Sequence, residues 1–149
     1  MVTIRSFSRE EAPFLQQNLY PDMSLSDISE LIDAWNTRVY NGKYFEMFAV
    51  LSDETVVGSV SLYERSKHIA SLGAEIIPEA RGKGAASSAI SLLMQYAAEK
   101  GYRVFLDQVR ADNAASIRLH QKLGFESDAY VYKNQRGRDV VLYVKTIES

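Results

Sequence analysis

The stretch Pro78-Glu79-Ala80-Arg81-Gly82-Lys83-Gly84-Ala85-Ala86-Ser87-Ser88-Ala89-Ile90 places two glycines and two basic residues just behind a proline, then runs into small side chains. Upstream, Ser71 to Ile77 reads as a strand. Downstream, Ala86, Ala89, Ile90, Leu93, Met94 and Ala97 recur at the i, i+3, i+4, i+7 spacing of a helix with one buried face, and Gly101 ends it. Strand, glycine turn and helix together aim the amides of the turn and of the first helical residues at one spot, a nest suited to an anion.

Two specific phosphate motifs do not match. A Walker A loop needs a glycine five residues before Gly82, where Ile77 stands, and a Ser or Thr after Lys83, where Gly84 stands. A dinucleotide fingerprint needs a third glycine where Ser87 stands, and a βαβ unit where this chain predicts a hairpin meander. A glycine turn that merely precedes a helix is the plain alternative.

Val2 to Phe7 alternates with period two, and Ser8-Arg9-Glu10-Glu11 opens a helix that stops before Tyr20-Pro21. A second helix starts at Ser24 or Ser26, carries Ile28, Leu31, Ile32, Trp35 and Val39 on one face, and ends at Asn41-Gly42. Strands follow over Tyr44 to Ser52 and Val56 to Glu64, joined as an antiparallel hairpin by Asp53-Glu54. Arg103 to Val109 is a strand, Asn113 to Leu123 a helix closed by Gly124, and Phe125 to Tyr132 and Val140 to Ile147 two last strands. The expected fold is α/β (α+β): a mixed, mostly antiparallel twisted sheet of about seven strands with helices on both faces.

A length of 149 residues with 46% apolar side chains suits a single domain over 1–149. A formal net charge of −2 argues against a nucleic-acid partner. The chain has no cysteine, so disulfides, thiolate metal sites and a cysteine nucleophile are excluded. Two histidines without matched ligands give no reason to expect a metal, and His68 reads as a surface residue in a polar turn. No apolar run approaches the roughly 18 residues a membrane helix needs, so a cytoplasmic protein without a membrane partner is expected.

The segment Ile76-Ile77-Pro78-Glu79-Ala80-Arg81-Gly82-Lys83-Gly84-Ala85-Ala86 resembles the signature of the GNAT superfamily of acetyl-CoA-dependent N-acyltransferases. A second segment, Asn113-Ala114-Ala115-Ser116-Ile117-Arg118-Leu119-His120-Gln121-Lys122-Leu123-Gly124-Phe125, is similar to the family's next motif, in the same order and at a matching separation. The resemblance implies that acetyl-CoA is the acyl donor. It places the pyrophosphate on the backbone of Arg81, Gly82, Lys83, Gly84, Ala85 and Ala86, with Arg81 and Lys83 as auxiliary charges, and the pantetheine arm along the backbone of Ile76 and Ile77. Asn113, Ser116 and His120, at i, i+3 and i+7, share the helix face that the family turns to the coenzyme. Ala115, Leu119 and Leu123 form the neighbouring stripe, read as core.

Acetyl transfer to an amine needs the amine deprotonated, the carbonyl polarised and the leaving thiolate protonated. Glu75, beside the expected strand opening, is the carboxylate best placed to act as base or to hold a water, and Asp107 is its rival. The family's usual tyrosine acid falls on His120. That position leaves three readings: His120 is the acid, it only binds the coenzyme, or Tyr130 or Tyr132 replaces it. The expected function is N-acetylation of a primary amine of a small molecule in a ternary complex. Protein N-terminal or lysine acetylation and a non-catalytic acyl-CoA-binding domain are the alternatives, and exposed edge strands near the chain's end leave a homodimer open.

Overall fold

A computed structural model describes residues 1–148. The chain forms β1 (Val2–Ser6), α1 (Ala12–Asn18), α2 (Leu25–Trp35), β2 (Val39–Tyr40), β3 (Lys43–Ser52), β4 (Thr55–Ser66), β5 (Ile69–Ile76), α3 (Ala85–Glu99), β6 (Val104–Arg110), α4 (Ala114–Lys122), β7 (Val131–Lys133) and β8 (Asp139–Thr146). These strands make one sheet in the order β1-β3-β4-β5-β6-β8-β7, with β2 added to β3. Every pairing is antiparallel except β5 with β6.

The alternation of β3 divides the interior between two faces. Phe48 and Val50 point to the side covered by α3, where Ala89, Leu93, Phe105, Val109 and Phe125 complete the larger core. Ala49 and Leu51 point to the other side and meet Leu15, Ile28, Ile32 and Trp35 of α1 and α2. Helices therefore lie on both faces, as the sequence pattern requires.

Two stretches differ from the sequence reading. Val39 does not extend α2: the helix ends at Trp35, and Val39-Tyr40 pairs with Lys43-Tyr44 as an eighth strand. Asn41 and Gly42 both have positive φ, 50° and 74°, so the dipeptide is the turn of a short hairpin as well as a helix stop. The strand expected over Phe125 to Tyr132 shrinks to one bridge, Glu126 with Val144, and then β7. Between them Ser127 Oγ accepts from the Ala129 N–H at 3.0 Å and Asp128 Oδ1 from the Tyr130 N–H at 3.0 Å. These local turns compete with ladder pairing, and Ala129 at φ 61° breaks the extended run.

Candidate functional site: a cleft where two parallel strands part

β5 and β6 pair only at Ile69 with Val104 and Ala70 with Phe105, and then diverge. At the parting point Leu72 has no backbone partner on β6. Its N–H donates to the Asp107 side chain, Oδ1, at 2.8 Å. Backbone groups alternate sides along a strand, so Ala74 and Ile76 also turn theirs into the gap.

A cavity of about 720 Å³ occupies the opening, walled by the end of β5, the glycine turn and α4. Six of the expected contacts come together there: Ile76, Arg81, Gly82, Gly84, Ala85 and Ala86, with Asn113 and Ser116 across from them. Gly84 caps α3 in the left-handed region at φ 81°, and Gly82 shares that conformation at φ 80°. Both dihedrals suit glycine, and Gly84, Ala85 and Ala86 at the start of α3 line the cavity without bulky side chains. Asn113 caps α4, its Oδ1 accepting from the Ser116 N–H at 3.0 Å.

Several positions differ from the sequence reading. Ile77 gives its N–H to Val57 O at 2.9 Å and so faces β4; Ala74 takes its place on the cavity wall. Arg81 Nε donates to Ile76 O at 2.8 Å, closing the strand end onto the turn and occupying a carbonyl the coenzyme was expected to use. Lys83 is exposed and outside the wall, whereas Arg118 and Lys122 lie on it. The stripe Ala115, Leu119 and Leu123 is not uniformly core: Ala115 and Leu119 line the cavity and only Leu123 packs inward. The spacing of Ala115, Arg118 and Lys122, at i, i+3 and i+7, was the available signal for this basic wall.

Deeper in the gap lies a smaller cavity of about 190 Å³, bounded by Leu72, Gly73, Asp107, Gln108, Ser116 and His120 among others. Ser116 and Leu119 line both cavities.

His120 is 8% exposed, with its ring against Phe125 and Tyr143. Its Nε2 lies 2.8 Å from Asp107 Oδ2 and its Nδ1 2.8 Å from Ser116 O. A carboxylate and a carbonyl can only accept, so this pair of partners favours hydrogen on both ring nitrogens, the imidazolium form. Burial alone would lower its pKa; the bonds to Asp107 and to the Ser116 carbonyl outweigh that and raise it above the ordinary histidine value. Asp107, with both oxygens engaged, is no free base.

Glu75 lies on the other sheet face, exposed, opposite Ser59 in the strand register, and still borders the larger cavity. Burial, and then the Glu75 charge, raise the phenol of Tyr20, from the segment between α1 and α2, above its usual range. Tyr130 is 69% exposed, and neither it nor Tyr132 borders either cavity.

The model of the acetyltransferase (GNAT) domain family matches residues 2–126. A curated relative, an SPbeta prophage-derived uncharacterized N-acetyltransferase, YokL, of Bacillus subtilis (strain 168), is 30% identical over 92 residues, 60% of this chain; the match spans about half, 52%, of that protein's length. Among solved structures, a ribosomal L7/L12 alpha-N-protein acetyltransferase in complex with coenzyme A superposes with a TM-score of 0.82 at 20% identity, covering 98% of this chain and 94% of that one. A spermidine N-acetyltransferase chimera from Vibrio cholerae and hSSAT gives 0.77 at 22% identity, covering 97% and 94%. At these identities the superpositions establish the shared fold.

Proposed function

The chain belongs to the GNAT acetyltransferase family, and on that premise we propose that it moves an acetyl group from acetyl-CoA to a primary amine in a ternary complex. The observation that carries this reading is the parting of β5 from β6 beside a glycine turn whose amides and basic neighbours face one cavity. The donor set fits coenzyme A. Gly82, Gly84 and the first turn of α3 offer N–H groups for a pyrophosphate, Arg118 and Lys122 add positive charge, and Ala74, together with the N–H of Ile76, offers strand edge to an amide-bearing arm. Bound there, the coenzyme supplies an activated thioester.

The protein's own groups then act from two sides. Glu75, exposed on the face that α1 and α2 border, takes a proton from the incoming ammonium directly or through water. The imidazole of His120, held between Asp107 and the Ser116 carbonyl, stands at the inner end of the cleft, where negative charge develops on the departing sulfur.

The acceptor is a small-molecule amine in this reading. The spermidine enzyme among the structural neighbours acts on such a compound, and the L7/L12 enzyme makes a protein N-terminus the competing acceptor. A thiol-release assay decides among them, run with acetyl-CoA against polyamines, amino-acid amides and N-terminal peptides. Turnover with the first two groups is expected. Turnover confined to peptides transfers the reading to protein acetylation, and coenzyme binding without thiol release for any acceptor makes the domain an acyl-CoA-binding module.

A further inference from the structure

The register of β5 on β6 can be carried past their last pair. Ala70 sits beside Phe105, and the bond from Leu72 to Asp107 keeps the same step, so Gly73 falls level with Gln108 and Glu75 level with Arg110 where the strands have parted. Along β6 the buried Phe105, Asp107 and Val109 alternate with exposed Gln108 and Arg110; on β5 Leu72 and Ile76 are buried and Glu75 is exposed. Neighbouring strands share their pleat, so Glu75, Gln108 and Arg110 stand on one face of the sheet. The apolar cluster under α1 and α2 takes residues from β3 and β4 and, among the described residues, none from β5, β6 or β8. This part of the face is therefore open.

Opposite charges thus flank the opening on its open face, a carboxylate on β5 and a guanidinium on β6. Arg110 gives one nitrogen, Nη2, to Asp112 Oδ2 at 3.0 Å, an exposed pair that leaves donors of the guanidinium to spare. Gln108, one step deeper, borders the smaller cavity with its side-chain amide. The β7–β8 turn, carrying Arg136 and Arg138, emerges two residues from Val140, the register partner of Arg110, and adds positive charge on the same side. We propose that the acceptor is an amine that also bears a carboxylate, an amino acid, whose ammonium is drawn to Glu75 and whose carboxylate is held by Arg110 and the Gln108 amide. This rests on the acetyl-transfer reading above and names the substrate class of that site. Arg110 is a specificity-determining residue in it, touching the acceptor's carboxylate and no reacting atom.

Charge decides among the small amines. A polyamine would set its second ammonium against Arg110, and an amino-acid amide or a peptide N-terminus would leave the guanidinium without an anion. A free carboxylate matches the planar fork of an arginine with two parallel hydrogen bonds. The pair with Asp112 competes for that fork, but both its members are exposed, so an incoming carboxylate displaces it at little cost.

The test uses the full chain and a thiol-release assay at saturating acetyl-CoA, with amino acids and their carboxamides matched in side chain: glycine with glycinamide, and L-leucine with L-leucinamide. Each kcat/KM is taken per unprotonated amine, because the amine of the carboxamide is the weaker base. Wild type is expected to prefer each acid over its amide by about 10-fold or more, with the difference residing in KM. Arg110→Gln brings that preference close to one. Arg110→Lys keeps part of it, since a point charge replaces the fork, and Asp112→Asn, which removes the competing carboxylate, raises it. A wild type without preference for the acids, a preference equal in wild type and Arg110→Gln, or turnover confined to polyamines or peptides each overturns the inference and leaves acetyl transfer standing. A wild type that releases no thiol with any acceptor overturns the transfer reading instead, before any variant is made.

Discussion

Leu72 donates its backbone N–H to the Asp107 carboxylate at 2.8 Å, two residues beyond the last pair that holds β5 to β6, Ala70 with Phe105. The side chain takes the place of a strand partner, so a buried amide stays satisfied while the two strands separate. The same carboxylate reaches His120 with its second oxygen. One residue thereby ends the parallel ladder, opens the cleft and ties α4 to the sheet.

The glycine turn is separable into backbone and ligand effects. Gly84 has φ 81°, and an added Cβ would have nothing closer than Ser87 Oγ at 3.9 Å. Gly84→Ala therefore costs about 1 kcal/mol from the left-handed backbone alone. Because that methyl group sits on the cavity wall, the KM for acetyl-CoA should rise several-fold with kcat retained. Gly42→Ala, at φ 74° with open space around it in the β2–β3 turn, is the control. A melting loss comparable to that of Gly84→Ala and an unchanged KM are expected there, and equal KM effects in the two variants would count against a coenzyme role for the turn.

Gly58 is constrained by contact instead of dihedral. A Cβ there would collide with Glu75 O and lie 2.9 Å from Ile76 Cα, both backbone atoms of the strand that borders the cleft. Backbone cannot move aside as a flexible side chain can, so Gly58→Ala should destabilise by about 2 kcal/mol or more. For a chain of this size that is a fall in Tm of roughly 4–8 °C, read by thermal melting. A Tm within a degree of wild type would mean that β4 and β5 are not held this closely.

What the sequence disclosed, and what it withheld, follows the range of the interactions. The turn from Arg81 to Ala86 and the cap at Asn113 are local devices written in consecutive residues, and they appear where the pattern places them. Asn41-Gly42 is equally local but ambiguous, since the same dipeptide stops a helix and turns a hairpin. The tie between Leu72 and Asp107 spans 35 residues and one crossover helix, and no spacing rule reports it. The face of α4 carrying Asn113, Ser116 and His120 was legible as one stripe. The helix lies along the rim of the cleft, however, so its N-terminal residues meet the cavity while His120 turns into the core.

Glu75 tests the base assignment from the other sheet face. Its exposed carboxylate lacks any hydrogen-bond partner that would fix it elsewhere among the described residues, and Tyr20 is near enough for its phenol to register the charge. Glu75→Gln keeps the size and removes the basicity, so kcat/KM should fall by about 100-fold and its rise with pH should move toward the intrinsic titration of the amine. If kcat/KM and its pH dependence survive the substitution, Glu75 has no part in proton removal.

The buried pair also makes stability depend on pH, with a sign set by His120. Its pKa is raised in the folded chain above the value near 6.5 of an unfolded histidine, because the bonds to Asp107 and Ser116 O outweigh burial. A group that binds its proton more tightly when folded stabilises the native state fully below the unfolded pKa, and that contribution is lost as pH rises through the folded value. Asp107→Asn removes the carboxylate that holds the charge. The stability gap between wild type and this variant, measured by denaturant melts from pH 5.5 to 9, should therefore be widest at the acid end and narrow steadily above pH 6.5. A gap that stays constant across this range would show that His120 is not held as an imidazolium, and one that widens with pH would reverse the sign of the coupling.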